Sequence, residues 1–317
     1  MLRVGTTSDW PSIALSLAGV EFPANESNGA VLDLGPGLSS PSMPMEAWNW
    51  LLDCRFSNNR GGTLLRLAAD DRYLHLRGTD FLDNDCAELL VHDSGGLSDA
   101  AQLVVQNGLF VSNAGSIAAR GRGHLLLQNC TLHGNACDIT AGGSATASLH
   151  TAILWAHGGA LAEEAAGRLD VQYSATGLPA PHPGPGHLTN DPHFADAAGR
   201  DFHLHRLSPC LDAGDPATEH RNEPEPNGGQ VNLGRYGNTR EAACWRDWMG
   251  PSIACTGLTV VLEFPTHSGS WYRAEFAPWP SGPWTEIDDR QADADGVRLT
   301  APAAGDRGFF RVYHYRP

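Results

Sequence analysis

The sequence predicts an all-β protein, a solenoid of short parallel strands followed by a small β-sandwich, and three observations carry that expectation. A bulky apolar residue recurs with an Asn three places on: Phe22 with Asn25, Phe56 with Asn59, Phe81 with Asn84, Phe110 with Asn113, and Leu132 with Asn135. The anchors lie 34, 25, 29, 22 and, at Leu154 with a polar His157, 22 residues apart. Such periods belong to stacked repeats. Short apolar stretches stand at the same offsets on either side of every anchor. The 36 Gly and 21 Pro suit a chain of many turns.

Each repeat divides further. An apolar strand comes first, as in Leu74–Leu76, Leu103–Val105 and Leu125–Leu127. A polar corner follows, at Asp53, Arg77-Gly78, Gln106-Asn107, Gln128-Asn129 and His150-Thr151. A short alternating strand then reaches the anchor; in Cys130-Thr131-Leu132, Cys and Leu share one face and Thr takes the other. After the Asn turn comes a third strand, over 30–34, 62–67, 88–91, 116–119 and 138–141. Three strands per turn, stacked at about 4.8 Å, make a solenoid. An antiparallel sandwich explains the strand lengths but not one polar residue at one offset in five units. The Asn column of Asn25, Asn59, Asn84, Asn113 and Asn135 is expected to hold corners, because Asn tolerates left-handed backbone and its amides hydrogen-bond along a stack. Asn129-Cys130-Thr131 fits a glycosylation sequon, but Asn129 shares its corner column with Asn107 and Asp53.

Composition narrows the function. The net charge is −15 and all 21 basic residues are Arg. An acidic surface argues against nucleic acid, and the lack of Lys removes every Lys-dependent mechanism. No apolar run reaches the roughly 18 residues of a membrane span. The first ten residues carry no charged-then-apolar leader pattern, so an export signal or earlier coils are expected upstream. Of seven Cys, Cys54, Cys130, Cys86 and Cys137 fall in columns that read as small core residues. Cys244 and Cys255 are the one local disulfide candidate.

The segments Asp-Cys-Arg-Phe-Ser-Asn-Asn at 53–59, Gly-Thr-Asp-Phe-Leu-Asp-Asn at 78–84 and Asn-Cys-Thr-Leu-His-Gly-Asn at 129–135 resemble the coils of right-handed parallel β-helix proteins of the pectate-lyase-like superfamily. Farther on, Asp191-Pro-His-Phe-Ala-Asp196, Leu207-Ser-Pro-Cys-Leu-Asp-Ala-Gly-Asp-Pro216 and Asn227-Gly-Gly-Gln-Val-Asn-Leu-Gly-Arg-Tyr-Gly237 look like the C-terminal segment of bacterial secreted β-helix proteins. Asn232 and Gly237 depart from it, since acidic residues are commoner there. The expected division is 1–186 for coils, 187–241 for a closing segment that caps the stack, and 242–317 for a sandwich. Its strands are expected at 258–264, 270–276, 284–287, 296–300 and 308–313, with Trp284-Thr-Glu-Ile and Gly308-Phe-Phe-Arg-Val resembling a fibronectin-like module. Five of the nine Trp fall there, and most are expected in its core.

The resemblance implies a protein of the cell surface or medium, a monomer, with a polysaccharide or cell-surface glycan as partner. Its catalytic sets are testable. A Lys-Arg pairing is absent, and Asp70-Asp71 stands without the other hydrolase motifs. A calcium-and-arginine lyase needs carboxylates and an Arg on neighbouring turns, for which Asp53, Arg55, Arg77, Asp80 and Asp83 are the candidates. Asp212 and Asp215, near Glu219, Glu223 and Glu225, are candidate calcium ligands, with Asx-turns as the competing reading. His203 and His205 share one strand face near His193, but a metal site needs a third ligand and a second shell, and neither is indicated. Two functional classes remain: a glycan-binding or surface-architecture protein, and a lyase or hydrolase of an acidic polysaccharide.

Overall fold

The computed structural model describes residues 2–4, 16–27, 30–34, 48–68, 73–95, 102–178, 184–205, 208–224, 227–243, 252–256, 259–265, 271–278, 282–291, 296–302 and 309–315. Among them there is no helix, and so none long and apolar enough to cross a membrane. The first part is a parallel β-solenoid of three sheets. The first sheet stacks seven strands, from Ser16–Ala18 through Trp48–Leu52, Tyr73–Arg77, Gln102–Gln106, His124–Gln128 and Thr146–His150 to Arg168–Gln172. The second stacks seven more, Glu21–Pro23, Arg55–Ser57, Asp80–Leu82, Leu109–Val111, Thr131–His133, Ile153–Trp155 and Ala175–Thr176. The third runs from Leu2–Val4 and Leu32–Leu34 through Arg60–Leu67, Asp85–Asp93, Ala114–Arg120 and Ala136–Ala141 to Leu161–Glu163, with Glu26–Ser27 beside it.

Alternation puts the strands in place. In Tyr73–Arg77, Gln102–Gln106 and His124–Gln128 every second residue is buried, so Leu74, Leu76, Leu103, Val105, Leu125 and Leu127 fill the interior. The anchors stack in register down the second sheet, Phe22 on Phe56, Phe81, Phe110, Leu132 and Leu154. The four Phe rings lie nearly parallel, with centroids 4.5, 5.2 and 4.5 Å apart. Cys54, Cys86, Cys130 and Cys137 are free and buried in this core. Cys244 and the Cys255 side chain lie outside the described residues.

The Asn column forms a ladder. Each Nδ2 donates to the Oδ1 of the next Asn, at 2.8 Å for the first three steps and 2.9 Å for Asn113 to Asn135. The same Oδ1 atoms accept the backbone N–H of the preceding Asn at 2.9–3.1 Å. The second Nδ2 hydrogen goes to a carbonyl of the preceding turn: Phe22 for Asn59, Phe56 for Asn84, Phe81 for Asn113, and Phe110 for Asn135. One part of the expectation needs correction. The left-handed residue is not the Asn but its predecessor: Ala24, Asn58, Asp83, Ser112 and Gly134, with φ between 44° and 63°. That twist turns the following amide inward, and Asn59, Asn84, Asn113 and Asn135 are at most 2% exposed. The other corner column, Gly19, Asp53, Gly78, Asn107, Asn129, Thr151 and Tyr173, is itself left-handed.

The segment expected to cap the stack does so only at first. Leu188 bridges Ala175, and the N–H of Tyr173 donates to the Pro185 carbonyl, which extends the final turn. Beyond that the chain runs back along the solenoid as a cover for the second sheet. A hairpin, Phe194–Asp196 with Asp201–Leu204, sets Phe202 against Leu109 and Val111. Leu204, Leu211 and Leu233 pack on Ile153 and Ala175. The reason is visible in the strands: Leu109–Val111 is buried on both faces, and its outward apolar side chains need a second layer.

The C-terminal part has one strand more than expected, Ser252–Thr256. It joins Thr259–Pro265 and Gly296–Pro302 in one antiparallel sheet, while Trp271–Ala277 lies between Thr285–Gln291 and Phe309–Tyr315 in another. Leu262 and Leu299 from the first meet Tyr272, Ala274 and Val312 from the second. Of its five Trp, Trp245, Trp248 and Trp279 lie outside the described residues; Trp271 and Trp284 are half-buried, and the Arg311 guanidinium lies 4.1 Å over the Trp284 ring. Tyr272 takes the central position instead.

Asn84→Ala removes the middle of the ladder and strands several buried donors and acceptors. A loss of about 3 kcal/mol is expected, given ~1–3 kcal/mol for each such group. Asn25→Ala, at the half-exposed end, should cost under about 1 kcal/mol. Denaturant midpoints of the two variants check this, and equal losses would contradict the ladder's role.

Candidate functional site

The five residues singled out as a catalytic patch do lie on neighbouring turns, but the structure separates them. Arg55 and Asp80 face each other in register on adjacent strands of the second sheet. Asp80 is buried, with Oδ2 3.3 Å from Arg55 Nη2 and Oδ1 2.7 Å from Nη1 of Arg235 in the cover. Arg55 also stands 3.9 Å from Glu21. Asp83 forms a bidentate pair with Arg200, both contacts 2.7 Å. Asp80 and Asp83 therefore act as docking points for the cover, and Arg55 is tied up with them.

Asp53 and Arg77 are different. Both are exposed, on successive turns of the first corner, and no described residue forms an ion pair with either. Asp53 turns the chain at φ 50° after the strand Trp48–Leu52, and its N–H donates to the Arg77 carbonyl at 2.8 Å. Its carboxylate stands over Gly78, where any Cβ would come within 2.3 Å of Oδ1. Glycine at 78 thus keeps the carboxylate in place as well as permitting φ 64°.

These two residues form one wall of a cleft of about 370 Å³; Asn107, Arg235, Tyr236 and Glu241 are among the residues that complete it. The cover supplies the last three, and its fit is polar and specific. Asn107 Nδ2 donates to the carbonyls of Arg235 and Gly237, and Arg235 Nη1 donates to the Asn107 carbonyl. The Arg235 N–H donates to Thr131 Oγ1, the Gly234 N–H to the Thr151 carbonyl, and Asn129 Nδ2 to the Asn232 carbonyl. Asn129 is 1% exposed and so is no acceptor for a glycan. Tyr236 stacks on His203 with centroids 3.7 Å apart, and burial pushes its phenol up from the ordinary value. His203 Nδ1 is 2.5 Å from Asp201 Oδ1, a contact that holds the Asp201 carboxyl below the usual range. His203 Nε2 is 3.8 Å from Glu241.

The sequence reading missed Arg235, Tyr236 and Glu241 as site residues and took 187–241, which holds them, for a closing segment. The available signal was the apolar outer face of Leu109-Phe110-Val111 and Ile153-Leu154-Trp155, which required a cover.

The calcium candidates serve the cover. Asp212 Oδ1 accepts the Gly228 N–H at 2.9 Å. Asp215 accepts the Ala217 N–H at 2.8 Å and lies 3.1 Å from His150 Nε2. Glu219 pairs with Arg221. Among the described residues no three His, Cys, Asp or Glu side chains are grouped to hold a metal ion. Asp70, Asp71 and Glu225 lie outside the described residues.

Glu223 is buried beneath the loop that carries Arg235 and Tyr236. Its Oε1 accepts the N–H groups of Asn232 and Asn238 at 2.9 and 2.8 Å, while the buried Oε2 has no partner among the described residues. Burial, with Asp212 nearby, pushes its carboxyl up to about 7.

No family model matches the chain, and no curated protein sequence does.

Glu223 yields a pH prediction. Its folded value of about 7 exceeds the ordinary 4.5, so the folded state holds the proton more tightly than the unfolded one. The resulting stability is fully present below pH 4.5 and is lost as pH rises through 7, on the order of 3 kcal/mol in all. Glu223→Gln keeps the Oε1 acceptor and removes the titration. Its melting temperature should exceed the parent's at pH 8 and match it near pH 5. An unchanged pH 5-to-8 difference would refute the assignment.

Proposed function

We propose that this chain is an exported carbohydrate-binding protein, a right-handed parallel β-helix of the pectate-lyase-like kind with a fibronectin-like module at its C-terminus, acting in the medium or at the cell surface. The observation that carries the reading is the cleft. A carboxylate and a guanidinium, neither in an ion pair with a described residue, stand on successive turns of a cleft that a cover tyrosine also lines. Asp and Arg side chains grip sugar hydroxyls as acceptor and donor, and a Tyr beside them adds apolar contact area. A volume of about 370 Å³ suits a small ligand or one or two units of a chain. The strand order of the two C-terminal sheets, with the third and fifth strands each joining a different sheet, supports the fibronectin-like comparison.

The alternative, a lyase or glycoside hydrolase, has less behind it. General acid–base work needs groups poised near neutral pH within reach of the substrate. Asp80 and Asp83 are held in ion pairs by Arg235 and Arg200, and Tyr236 is shifted away from neutral pH. The fold is shared by many activities and does not choose between them.

Isothermal titration against a panel of plant, algal and bacterial oligosaccharides tests the proposal. Binding is expected, with Asp53→Ala and Arg77→Ala each weakening it about tenfold, the loss of one or two hydrogen bonds to a charged group. The melting temperature of Arg77→Ala should stay within about 2 °C of the parent, while Asp53→Ala, at a left-handed φ of 50°, should lose on the order of 1 kcal/mol and remain folded. Undiminished affinity in both variants, or release of reducing ends or unsaturated products by the parent, would overturn it.

A further inference from the structure

The cleft's charge inventory says which sugars it accepts. Among the described residues Asp53 has no ionic partner, and the exposed Glu241 has its nearest one, His203, at 3.8 Å. Arg235 faces the cleft as a cation already neutralised by Asp80 at 2.7 Å, with its Nη1 also committed to the Asn107 carbonyl. Among the described residues, Arg77 is the guanidinium of the wall without an ionic partner. A carboxylate entering here meets one available cation and two carboxylates, on a chain whose net charge is −15. Partial enclosure between cover and corner weakens screening, so both the local and the overall field oppose an anion.

From this inventory we infer that the cleft takes an uncharged, hydroxyl-bearing sugar and discriminates against uronates. The inference rests on the carbohydrate-binding reading above and specifies its ligand class. A neutral sugar satisfies every available group without electrostatic opposition. Its hydroxyls donate to Asp53 and Glu241 and accept from Arg77, with Tyr236 lining the cleft beside them. A uronate would leave Asp53 and Glu241 facing like charge. The Asn107 amide plays no direct part, because both its hydrogens go to cover carbonyls. Selectivity is thus set by exclusion, with two carboxylates as the repelling element. The Asp80 clamp cancels the charge of Arg235 while leaving that side chain in the wall.

The test compares neutral oligosaccharides (gluco-, xylo-, manno- and galacto-tetramers) with oligogalacturonides and oligoalginates of equal length, by titration at low and moderate salt. At least one neutral tetramer is expected to bind at least tenfold more tightly than any uronate. Raising the salt should narrow that gap by relieving repulsion. The double variant Asp53→Asn, Glu241→Gln should gain uronate affinity about tenfold while its neutral-sugar affinity falls. A uronate that matches or exceeds every neutral sugar on the parent would overturn the charge assignment while leaving carbohydrate binding intact. A double variant with unchanged selectivity would overturn it too. Silence across both sets would instead overturn carbohydrate binding itself, and the ligand class with it. Circular dichroism and melting of the double variant establish that it is folded before either result is read.

Discussion

The fold depends on one interaction, the amide ladder from Asn25 to Asn135. A solenoid has to place a polar corner inside every turn, and a buried polar group without partners costs more than most packing gains recover. Here each internal Asn uses both amide hydrogens and takes two donors on its oxygen, so the corner's polarity is met within the stack. The geometry admits only Asn. Asp lacks the donors, Gln is a methylene too long, and Ser offers one hydrogen for two acceptors. Register follows. With the amides locked, the anchors three residues earlier fall on one another, and the Phe rings stack within 7° of parallel. The β-helix is therefore specified by a polar constraint and filled by an apolar one.

Asn107 and Asn129 show the same residue type used in the opposite sense. They sit in the other corner column, in left-handed conformation, and their amides turn away from the stack to the cover's carbonyls. The ladder satisfies itself, whereas these corners are satisfied only when residues 232–237 are docked. Cover and corner are consequently matched at several separate points: two amides, Thr131, the Asp80–Arg235 pair and the Asp83–Arg200 pair. Apolar contacts of Phe202, Leu204 and Leu233 supply much of the adhesion, and the polar contacts fix where the cover sits.

These differences explain what was legible in the amino-acid sequence. The three-sheet solenoid was, because its signals are periodic: Phe56, Phe81 and Phe110 with their Asn partners repeat the same local problem and the same solution. The left-handed position was misplaced by one residue, since Asn58, Asp83 and Gly134 resemble turn residues no more than Asn59, Asn84 and Asn135 do. The cover was read as an end cap because its partners on the solenoid are distant in the chain; Asn107 and Arg235 are 128 apart, and no periodicity links them. The same distance hid half of the cleft. Asp53 and Arg77 stood out by register, while Tyr236 and Glu241 reach them only through tertiary docking. Asp80 and Asp83 looked equivalent to Asp53 for the same reason, since register cannot say which outward carboxylate another segment will claim.

Claimed and unclaimed carboxylates set the chemistry of the site. Asp80 sits under Arg235 and Asp83 pairs with Arg200, so both are fixed, and neither is available to exchange protons with a ligand. Asp53 is exposed beside Gly78, and its carboxylate oxygens are placed to accept hydrogen bonds. One wall of the cleft belongs to the rigid stack and the other to a segment held on by separate contacts, so the site exists only in the docked state. Any ligand that bridges Asp53 and Tyr236 binds that state alone. Its binding energy then adds to the contacts that hold the cover down, and weakening those contacts reduces affinity even where no ligand-touching side chain has changed.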